Sequence, residues 1–269
     1  MKRIIAIGVI IISHWAMGVA AAESSIDIWT TLLKPKYFPD AILIEGSGVI
    51  ELTSPYRAED AAVTPVSVRA SFPQSTGRFV KTIYMFVEGN PQPLAGIFHL
   101  TKEMGRADLA MRVRVDKYTN VRAIAVLNNG EHHMVTNFVK ASGGCSAPLS
   151  ADYSTAMQSI GGMKFKIIGD RNADETAVAQ FMLSHPNVTG MQKDQKTQLI
   201  RPAHYVESVE IFFNDTHVMT AQTGFSISAD PSFRFFFKPV KGGKIRAIAS
   251  DSKGNSWTQT FDVEAGRSL

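Results

Sequence analysis

The 269-residue sequence contains a single cysteine, Cys145. One cysteine excludes an intramolecular disulfide, a CxxC redox pair and a metal site built from several thiolates. The sequence also lacks a phosphate-binding glycine loop and a GxSxG nucleophile motif, so it does not favour the usual nucleotide-binding or serine-hydrolase chemistry. The single thiol, that of Cys145, is therefore the side chain for which the sequence most favours a chemical role.

An excess of charge of one sign is also missing. Lys and Arg number 28 and Asp and Glu number 24, a formal net charge of +4. Without Lys2 and Arg3 of the N-terminal segment, 26 basic residues face 24 acidic ones, and the net charge falls to +2. No basic stripe is interleaved with aromatic residues, so nucleic-acid binding is not predicted.

The N-terminal segment has the pattern of an export signal. Lys2 and Arg3 precede an uncharged apolar run, residues 4–12, and the segment ends in three alanines at 20–22. A basic start, a short apolar stretch and small residues at the end are typical of a secretory signal peptide. We expect residues 1–22 to be removed on export to the periplasm, the alternative being an uncleaved membrane anchor. No later run is long and apolar enough to cross a membrane, so no membrane association is expected after cleavage.

The periodicity after the export signal predicts one short helix followed by strands. Apolar residues in 26–39 have the spacing of an amphipathic helix that ends near Pro39. Beyond it, alternating or apolar runs bounded by Pro, Gly, Asn or Asp are typical of strands. Asn128-Asn129-Gly130 predicts a tight hairpin. The predicted strands include 66–70, 83–87, 110–115, 121–127, 133–139, 163–168, 206–213, 233–237, 245–249 and 257–263.

This pattern predicts an all-β protein with two immunoglobulin-like β-sandwich domains, at 24–142 and 160–269. Residues 143–159 between them are rich in Ser, Ala and Gly and predict a loop and linker. Within this stretch, Cys145 follows Gly143 and Gly144, which lack side-chain bulk. Because a Gly-Gly-Cys-Ser stretch is a poor place to build a core, we expect an exposed thiol on a mobile loop. The alternative is a packed core cysteine.

Other polar residues show no recognisable metal or catalytic spacing. His132 and His133 are adjacent on a predicted strand and point to opposite faces, so they cannot easily share a metal, and His99 adds no specific spacing. The loop carboxylates fit neither an EF-hand nor an acid–base pair, and we interpret them as solvated turn residues. They are Glu59, Asp60, Asp170, Asp174 and Glu175. No metal and no cofactor are predicted.

Several segments together carry a family resemblance. In the first half they are Ser54–Val66, Gly89-Asn90-Pro91, Arg112-Val113-Arg114, Val121-Arg122-Ala123 and Gly143-Gly144-Cys145. In the second half they are His185–Asp194, with the pattern HPxxTGxxKD, and Pro202-Ala203-His204. These segments resemble the two subunits of the SoxYZ sulfur carrier fused in one chain, and closely the SoxYZ-like carriers associated with quinoprotein dehydrogenases.

The resemblance implies a carrier and not an enzyme. In that family, SoxY holds sulfur intermediates covalently on the cysteine of a mobile arm, and SoxZ packs beside it. By resemblance, Cys145 is the attachment residue and Gly143 and Gly144 belong to the arm. His185, Thr189 and His204 match SoxZ positions, and we assign them structural roles.

The expected partners follow from the same resemblance. They are periplasmic redox or sulfur-transfer enzymes, which load, oxidise and hydrolyse the bound group, or a quinoprotein dehydrogenase system. A SoxY arm ends its chain soon after the cysteine, whereas here Pro148 and a second domain follow.

Two other functions are compatible with the sequence. One is a binding or assembly protein for a periplasmic dehydrogenase, in which the thiol is incidental. The other is an enzyme with a cysteine nucleophile, which needs a base near the thiol, such as His132 or His133 on the strand that leads to the loop.

Overall fold

The computed structural model describes residues 27–149, 153–169, 176–194, 197–239 and 242–264. They belong to two compact units, which divide after Pro39. The predicted export signal, residues 1–22, lies outside the described residues. Within the described ranges, no helix has the length and apolar character needed to span a membrane.

The first unit contains the predicted short helix, which is confirmed. A π-helical turn, Trp29–Leu33, continues into the α-helix α1, Lys34–Tyr37. Asp27 precedes it, and its carboxylate accepts a hydrogen bond from the Trp29 N–H at 3.1 Å, which satisfies one of the free donors at the helix start. The rings of Trp29 and Phe38 lie 6.2 Å apart and form the apolar side of this unit.

The second unit is a sandwich of two sheets, so the all-β prediction is confirmed. The nine-stranded sheet has the order β1-β8-β7-β4-β5-β12-β11-β14-β15, and the six-stranded sheet the order β2-β3-β6-β13-β10-β9. The strands of the described chain are β1 (Leu43–Glu45), β2 (Ile50–Thr53), β3 (Thr64–Pro73), β4 (Val80–Val87), β5 (Leu94–Leu100), β6 (Arg106–Val113), β7 (Thr119–Leu127), β8 (His132–Val139), β9 (Met163–Ile168), β10 (Ala177–Leu183), β11 (Val206–Phe213), β12 (Thr216–Thr223), β13 (Ser232–Phe237), β14 (Gly243–Asp251) and β15 (Ser256–Val263). A 3₁₀ turn, Lys102–Met104, and a helix α2, Tyr153–Gln158, interrupt the strand series.

The predicted hairpin is confirmed as the β7–β8 pair. Val126 pairs with His132 in an antiparallel register, and Gly130 between the strands has a φ of 89°. Only glycine adopts that conformation without strain, which is why the Asn-Gly signal predicted the turn correctly. Helix α2 was not predicted, because its sequence is short and has no apolar stripe.

Strands from both sides of residues 143–159 share each sheet. In the nine-stranded sheet β5 pairs with β12, so that Leu100 lies opposite Met219. In the six-stranded sheet β6 pairs with β13, and Leu109 lies opposite Phe235. One hydrophobic core runs through both halves. The division into domains at 24–142 and 160–269 stays a prediction.

This shared core generates a stability prediction. Phe98 on β5 is fully buried, and its ring packs edge-on against Phe233 of β13 at 5.9 Å. We expect Phe98→Ala to lower the free energy of unfolding by about 3–5 kcal/mol, since it removes buried apolar area and leaves a cavity. We also expect one cooperative transition in urea, because the two halves have no separate cores.

The matched control is Phe138→Ala, whose side chain is 44% exposed on β8. It should cost about 1 kcal/mol or less. Two separate transitions, of which Phe98→Ala shifts only one, would contradict the shared core.

Candidate functional site

The end of β6 forms the floor of the site. Asn90, in the Asn-Pro turn, donates from Nδ2 to the Arg114 carbonyl at 2.8 Å and accepts the Asp116 N–H at 2.9 Å. Its Nδ2 also donates to the Ser226 hydroxyl at 2.9 Å. One buried amide thus fixes residues 114–116 where β6 has ended, which gives the Gly-Asn-Pro motif a structural reason.

The cysteine loop lies on this floor. The Gly143 N–H donates to the Asp116 carbonyl at 2.9 Å, and the Gly144 N–H donates to the Val115 carbonyl at 3.1 Å. The Cys145 N–H donates to Asp116 Oδ1 at 3.2 Å. Three successive backbone donors are therefore satisfied by residues 115 and 116, and the loop is held against the body of the sandwich.

The two glycines are required by this placement. Gly143 has a φ of 77°, in the left-handed region that favours glycine. At Gly144 the chain passes so close to the first half that an added Cβ would lie 2.2 Å from the Ala61 carbonyl oxygen. In this conformation the glycines permit close approach, and their role in arm mobility stays a prediction.

The expectation of an exposed thiol is wrong for this conformation, because Cys145 has 0% exposure. Burial, and secondarily the Asp116 carboxylate, raise the pKa of the Cys145 thiol to about 12, although the Arg114 charge opposes the rise. The thiolate is the reactive form of cysteine, so in this conformation the protonated thiol is unreactive at neutral pH.

A segment of the second half covers the loop, and we call residues 187–192 the cradle. The Thr189 hydroxyl donates to the Cys145 carbonyl at 2.6 Å, and Gln192 Nε2 donates to the Ala147 carbonyl at 3.0 Å. Gln192 Oε1 in turn accepts the Thr189 N–H at 3.1 Å. Thr189 belongs to the HPxxTGxxKD motif for which the sequence indicated only a structural role, and Gln192 was not singled out. The motif marked this segment in the sequence, but its contact with the cysteine loop follows only from the tertiary structure.

Arg114 joins the loop to the cradle and was not predicted as a site residue. Its Nη1 donates to the Gly144 carbonyl at 3.3 Å and its Nη2 to the Asn187 carbonyl at 3.2 Å. The side chain is only 2% exposed, and burial lowers the pKa of the guanidinium. Strand alternation puts Arg114 on the same face as Arg112, which points outward. The pattern therefore predicts an exposed Arg114, and its burial could not be predicted from the sequence.

A second buried polar group consists of His185, His204 and Asp251. Asp251 Oδ2 accepts from His204 Nε2 at 2.6 Å and lies 3.4 Å from His185 Nε2. The carboxylate also accepts the N–H groups of Lys253 and Asn255 and the Asn255 amide. Burial alone would raise the pKa of Asp251, but hydrogen bonds from Asn255 and His204 outweigh it and hold that pKa below its ordinary range.

The tautomer of His185 argues against a metal at this group. The Asn187 N–H donates to His185 Nδ1 at 3.0 Å, so Nδ1 uses its lone pair there and the proton of the neutral ring is on Nε2. Burial and the neighbouring His204 lower the pKa of His185 to about 4, which keeps the ring neutral. A protonated Nε2 facing an ionised carboxylate is a hydrogen-bond donor and not a ligand. The geometry favours a structural role, in which hydrogen bonds through His185 and Asp251 connect Asn187, the first residue of the cradle, to the β14–β15 turn.

The other predicted residues lie away from Cys145 or in turns. His132 and His133 begin β8, while the loop follows its other end, about 23 Å away for seven residues of strand. Asp60 accepts the Ala62 N–H at 2.7 Å, as a turn carboxylate does. Asp170, Asp174 and Glu175 lie outside the described residues. In the described part of the chain, His99, His132 and His133 form no candidate metal cluster.

Comparisons with known proteins concern both halves. The family model for sulfur oxidation protein SoxY matches residues 35–145, and that for sulphur oxidation protein SoxZ matches residues 165–262. The solved sulfur carrier protein SoxY from Chlorobium limicola f thiosulfatophilum is 23% identical and has a TM-score of 0.34, with 40% of this chain and 88% of that chain covered. A superoxide reductase (neelaredoxin) from Ignicoccus hospitalis is 16% identical, with a TM-score of 0.31 over 34% of this chain and 79% of that chain. No curated protein gives a significant match.

The cradle generates a prediction about thiol accessibility. Thr189→Val removes the hydrogen bond to the Cys145 carbonyl and the acceptor of the Met191 N–H, and a buried group left unsatisfied costs about 1–3 kcal/mol. We expect alkylation of Cys145 by iodoacetamide at pH 8 to become about tenfold faster. The chain has no other cysteine, so labelling reports on this loop alone.

Thr258→Val, at an exposed position on β15, is the matched control and should leave the alkylation rate unchanged. Equal alkylation rates for Thr189→Val and the wild-type protein would exclude a role of the cradle in covering the thiol.

The histidine group predicts a loss of stability in acid. The pKa of His185 is lowered from 6.5 to about 4 on folding, so the unfolded chain binds the proton first. The stabilisation is complete above pH 6.5 and is lost as the pH falls towards 4. Asp251, whose pKa is also lowered, adds a further loss in the same direction below pH 3.8.

The urea midpoint should therefore fall between pH 7 and pH 4 in the wild-type protein, and less steeply in His185→Gln, which does not titrate. His132→Gln should keep the wild-type slope. A His185→Gln variant with an unchanged slope would refute this assignment.

Proposed function

Because this chain belongs to the SoxYZ family of sulfur-oxidation proteins, with a SoxY-like part followed by a SoxZ-like part, we propose that it carries sulfur-containing intermediates covalently on Cys145. The observation that carries the proposal is the position of the cysteine. The SoxY match ends at Cys145 itself, and the SoxZ-like part supplies the residues that cover its loop. The family consists of carriers and not of catalysts, so in this proposal other proteins do the chemistry.

Burial of the thiol implies two states of the loop. In the closed state Cys145 is inaccessible and protonated, so loading requires that the loop leave the floor and the cradle. The contacts that open are hydrogen bonds, each of which contributes about 0.5–1.5 kcal/mol. A partner that binds the open loop can offset a cost of this size. The closed state then protects the bound group from water and from stray thiols.

The loop is tethered at both ends, which limits how it is presented. Residues 140–143 continue directly from β8, and Gln192 holds the Ala147 carbonyl on the other side. We propose that partners receive Cys145 at the surface of the sandwich, since a tethered loop cannot thread a narrow tunnel as a free chain end can. The expected partners are periplasmic redox or sulfur-transfer enzymes of sulfur oxidation, or a quinoprotein dehydrogenase system.

The burial of Cys145 favours one rival. A binding or assembly protein for a periplasmic quinoprotein dehydrogenase needs no reactive thiol, and a packed cysteine fits that role. An enzyme with Cys145 as nucleophile is less favoured, because among the described residues no histidine contacts the thiol and the raised pKa opposes thiolate formation.

The test is the mass of the Cys145 peptide in protein isolated from its own compartment without reductant. The carrier function predicts a persulfide or thiosulfonate adduct, which a reductant removes. Cys145→Ser should fold normally, carry no adduct and fail to support sulfur oxidation in a strain that lacks the wild-type gene.

A plain thiol under all growth conditions, together with a functional Cys145→Ser variant, would refute the carrier role and favour the assembly protein. A sulfonate alone would not count as cargo, because air oxidation also produces it.

A further inference from the structure

A buried guanidinium lies beside Cys145 without a carboxylate to balance it. Arg114 is 2% exposed, and its two terminal nitrogens donate to the carbonyls of Gly144 and Asn187. Its Nε is buried and has no hydrogen-bond partner. Among the described residues, none forms an ion pair with Arg114. Burial of a charge without a counter-ion is costly, so a neutral donor would serve better if the role were only to bridge two carbonyls.

The charged groups around the thiol are few. Asp60 acts on Arg114 only electrostatically, and its Oδ1 accepts the Ala62 N–H. Asp116 accepts the Cys145 N–H and opposes negative charge on the sulfur itself. A negative charge at Cys145 would act on the Arg114 guanidinium more strongly than Asp60 does. Arg114 is thus the positive group that acts on a negative charge at Cys145, and it opposes the stronger repulsion by the Asp116 carboxylate.

We propose that Arg114 is the counter-ion for an anionic sulfur group attached to Cys145, and that the closed loop thereby retains anionic cargo in preference to neutral cargo. The hydrogen bond from Arg114 to Gly144 places the guanidinium one residue from the attachment point, and Nε remains as a free donor. A planar guanidinium suits sulfonate and similar oxyanions, since it donates several hydrogen bonds in one plane. The inference rests on the proposed function and names the charge class of its cargo.

Two adducts of opposite character can be made on the purified full-length chain. With tetrathionate, the Cys145 sulfur attacks an inner sulfur, a new S–S bond forms, the central S–S bond breaks, and thiosulfate and a proton leave. The product is the anionic adduct Cys145 Sγ–S–SO₃⁻, in which the two outer sulfurs come from tetrathionate. With methyl methanethiosulfonate, the same sulfur displaces methanesulfinate with loss of a proton, and the product is the neutral mixed disulfide Cys145 Sγ–S–CH₃. In each exchange the reagent is the oxidant, and no other electron acceptor is needed.

The measurement is the rate at which dithiothreitol releases each adduct, followed by mass spectrometry. Arg114→Gln retains hydrogen-bonding capacity without the charge, and we expect it to release the anionic adduct about tenfold faster than the wild-type protein does. Release of the methyl adduct should change less than twofold. Arg114→Lys retains the charge and should keep most of the protection of the anionic adduct. Circular dichroism of the unloaded variants checks that they fold.

A merely structural role of Arg114 predicts something different. Arg114→Gln would then accelerate release of both adducts equally, and this outcome would overturn the proposal. If the variant does not fold, the test uses the wild-type protein alone. The protein that carries the anionic adduct should then have a higher melting temperature than the protein that carries the methyl adduct. An equal or lower melting temperature would overturn the proposal.

This test fails independently of the carrier test. A native cysteine without cargo, combined with selective retention of the anionic adduct, would refute the carrier function but not the anion subsite. A native adduct without charge selectivity would leave the carrier function intact and remove the role of Arg114.

Discussion

Three successive backbone N–H groups, those of residues 143, 144 and 145, are satisfied by the chain just beyond β6. Buried backbone donors must be paired, so these bonds oblige the loop to lie flat against the sandwich. The close approach at Gly144, the burial of Cys145 and the raised pKa of its thiol all depend on this placement. In this conformation the thiol is buried and protonated at neutral pH, so its reactivity depends on the position of the loop.

The two halves contribute to the site unequally. The SoxY-like part supplies the loop and its floor, and the SoxZ-like part supplies the cradle that closes over it. The shared core explains why this arrangement is firm, since Phe98 and Phe233 pack across the two parts and both sheets continue through them. The opening of the loop that we propose would break the hydrogen bonds to the floor and the cradle, which is a local opening and not global unfolding.

Two polar groups surround the cradle and differ in how well they are satisfied. Asp251 accepts hydrogen bonds from both histidines and from the β14–β15 turn, so its charge is fully solvated by the protein. Arg114 has only carbonyl partners and an unused donor. In the histidine group the carboxylate is satisfied and only His204 Nδ1 has no partner, whereas the charge of Arg114 has no counter-ion among the described residues, which is the observation behind the proposed anion subsite.

Much of the fold could be predicted from local patterns. The helix before Pro39, the Asn-Gly hairpin and strands such as Val206–Phe213 follow from periodicity and turn chemistry, which act over a few residues. The strand predicted at 233–237 is confirmed for the same reason, and its alternate residues Phe233, Phe235 and Phe237 are buried. Cys145 was identified as the main candidate site residue because it is the single cysteine. The motifs in the two halves indicated the family. The sequence by itself thus determined the fold class, the family and the residue of interest.

The state of that residue was decided only by the tertiary structure. Gly-Gly before a cysteine indicates mobility when read locally, but Gly144 permits close contact with Ala61 once β6 and the segment 54–66 are adjacent. The contacts of Thr189, Gln192 and Arg114 with the loop join residues 30 to 45 positions apart in the chain. Burial, and with it the pKa of a thiol, depends on which distant segments meet around it, and no local pattern encodes that.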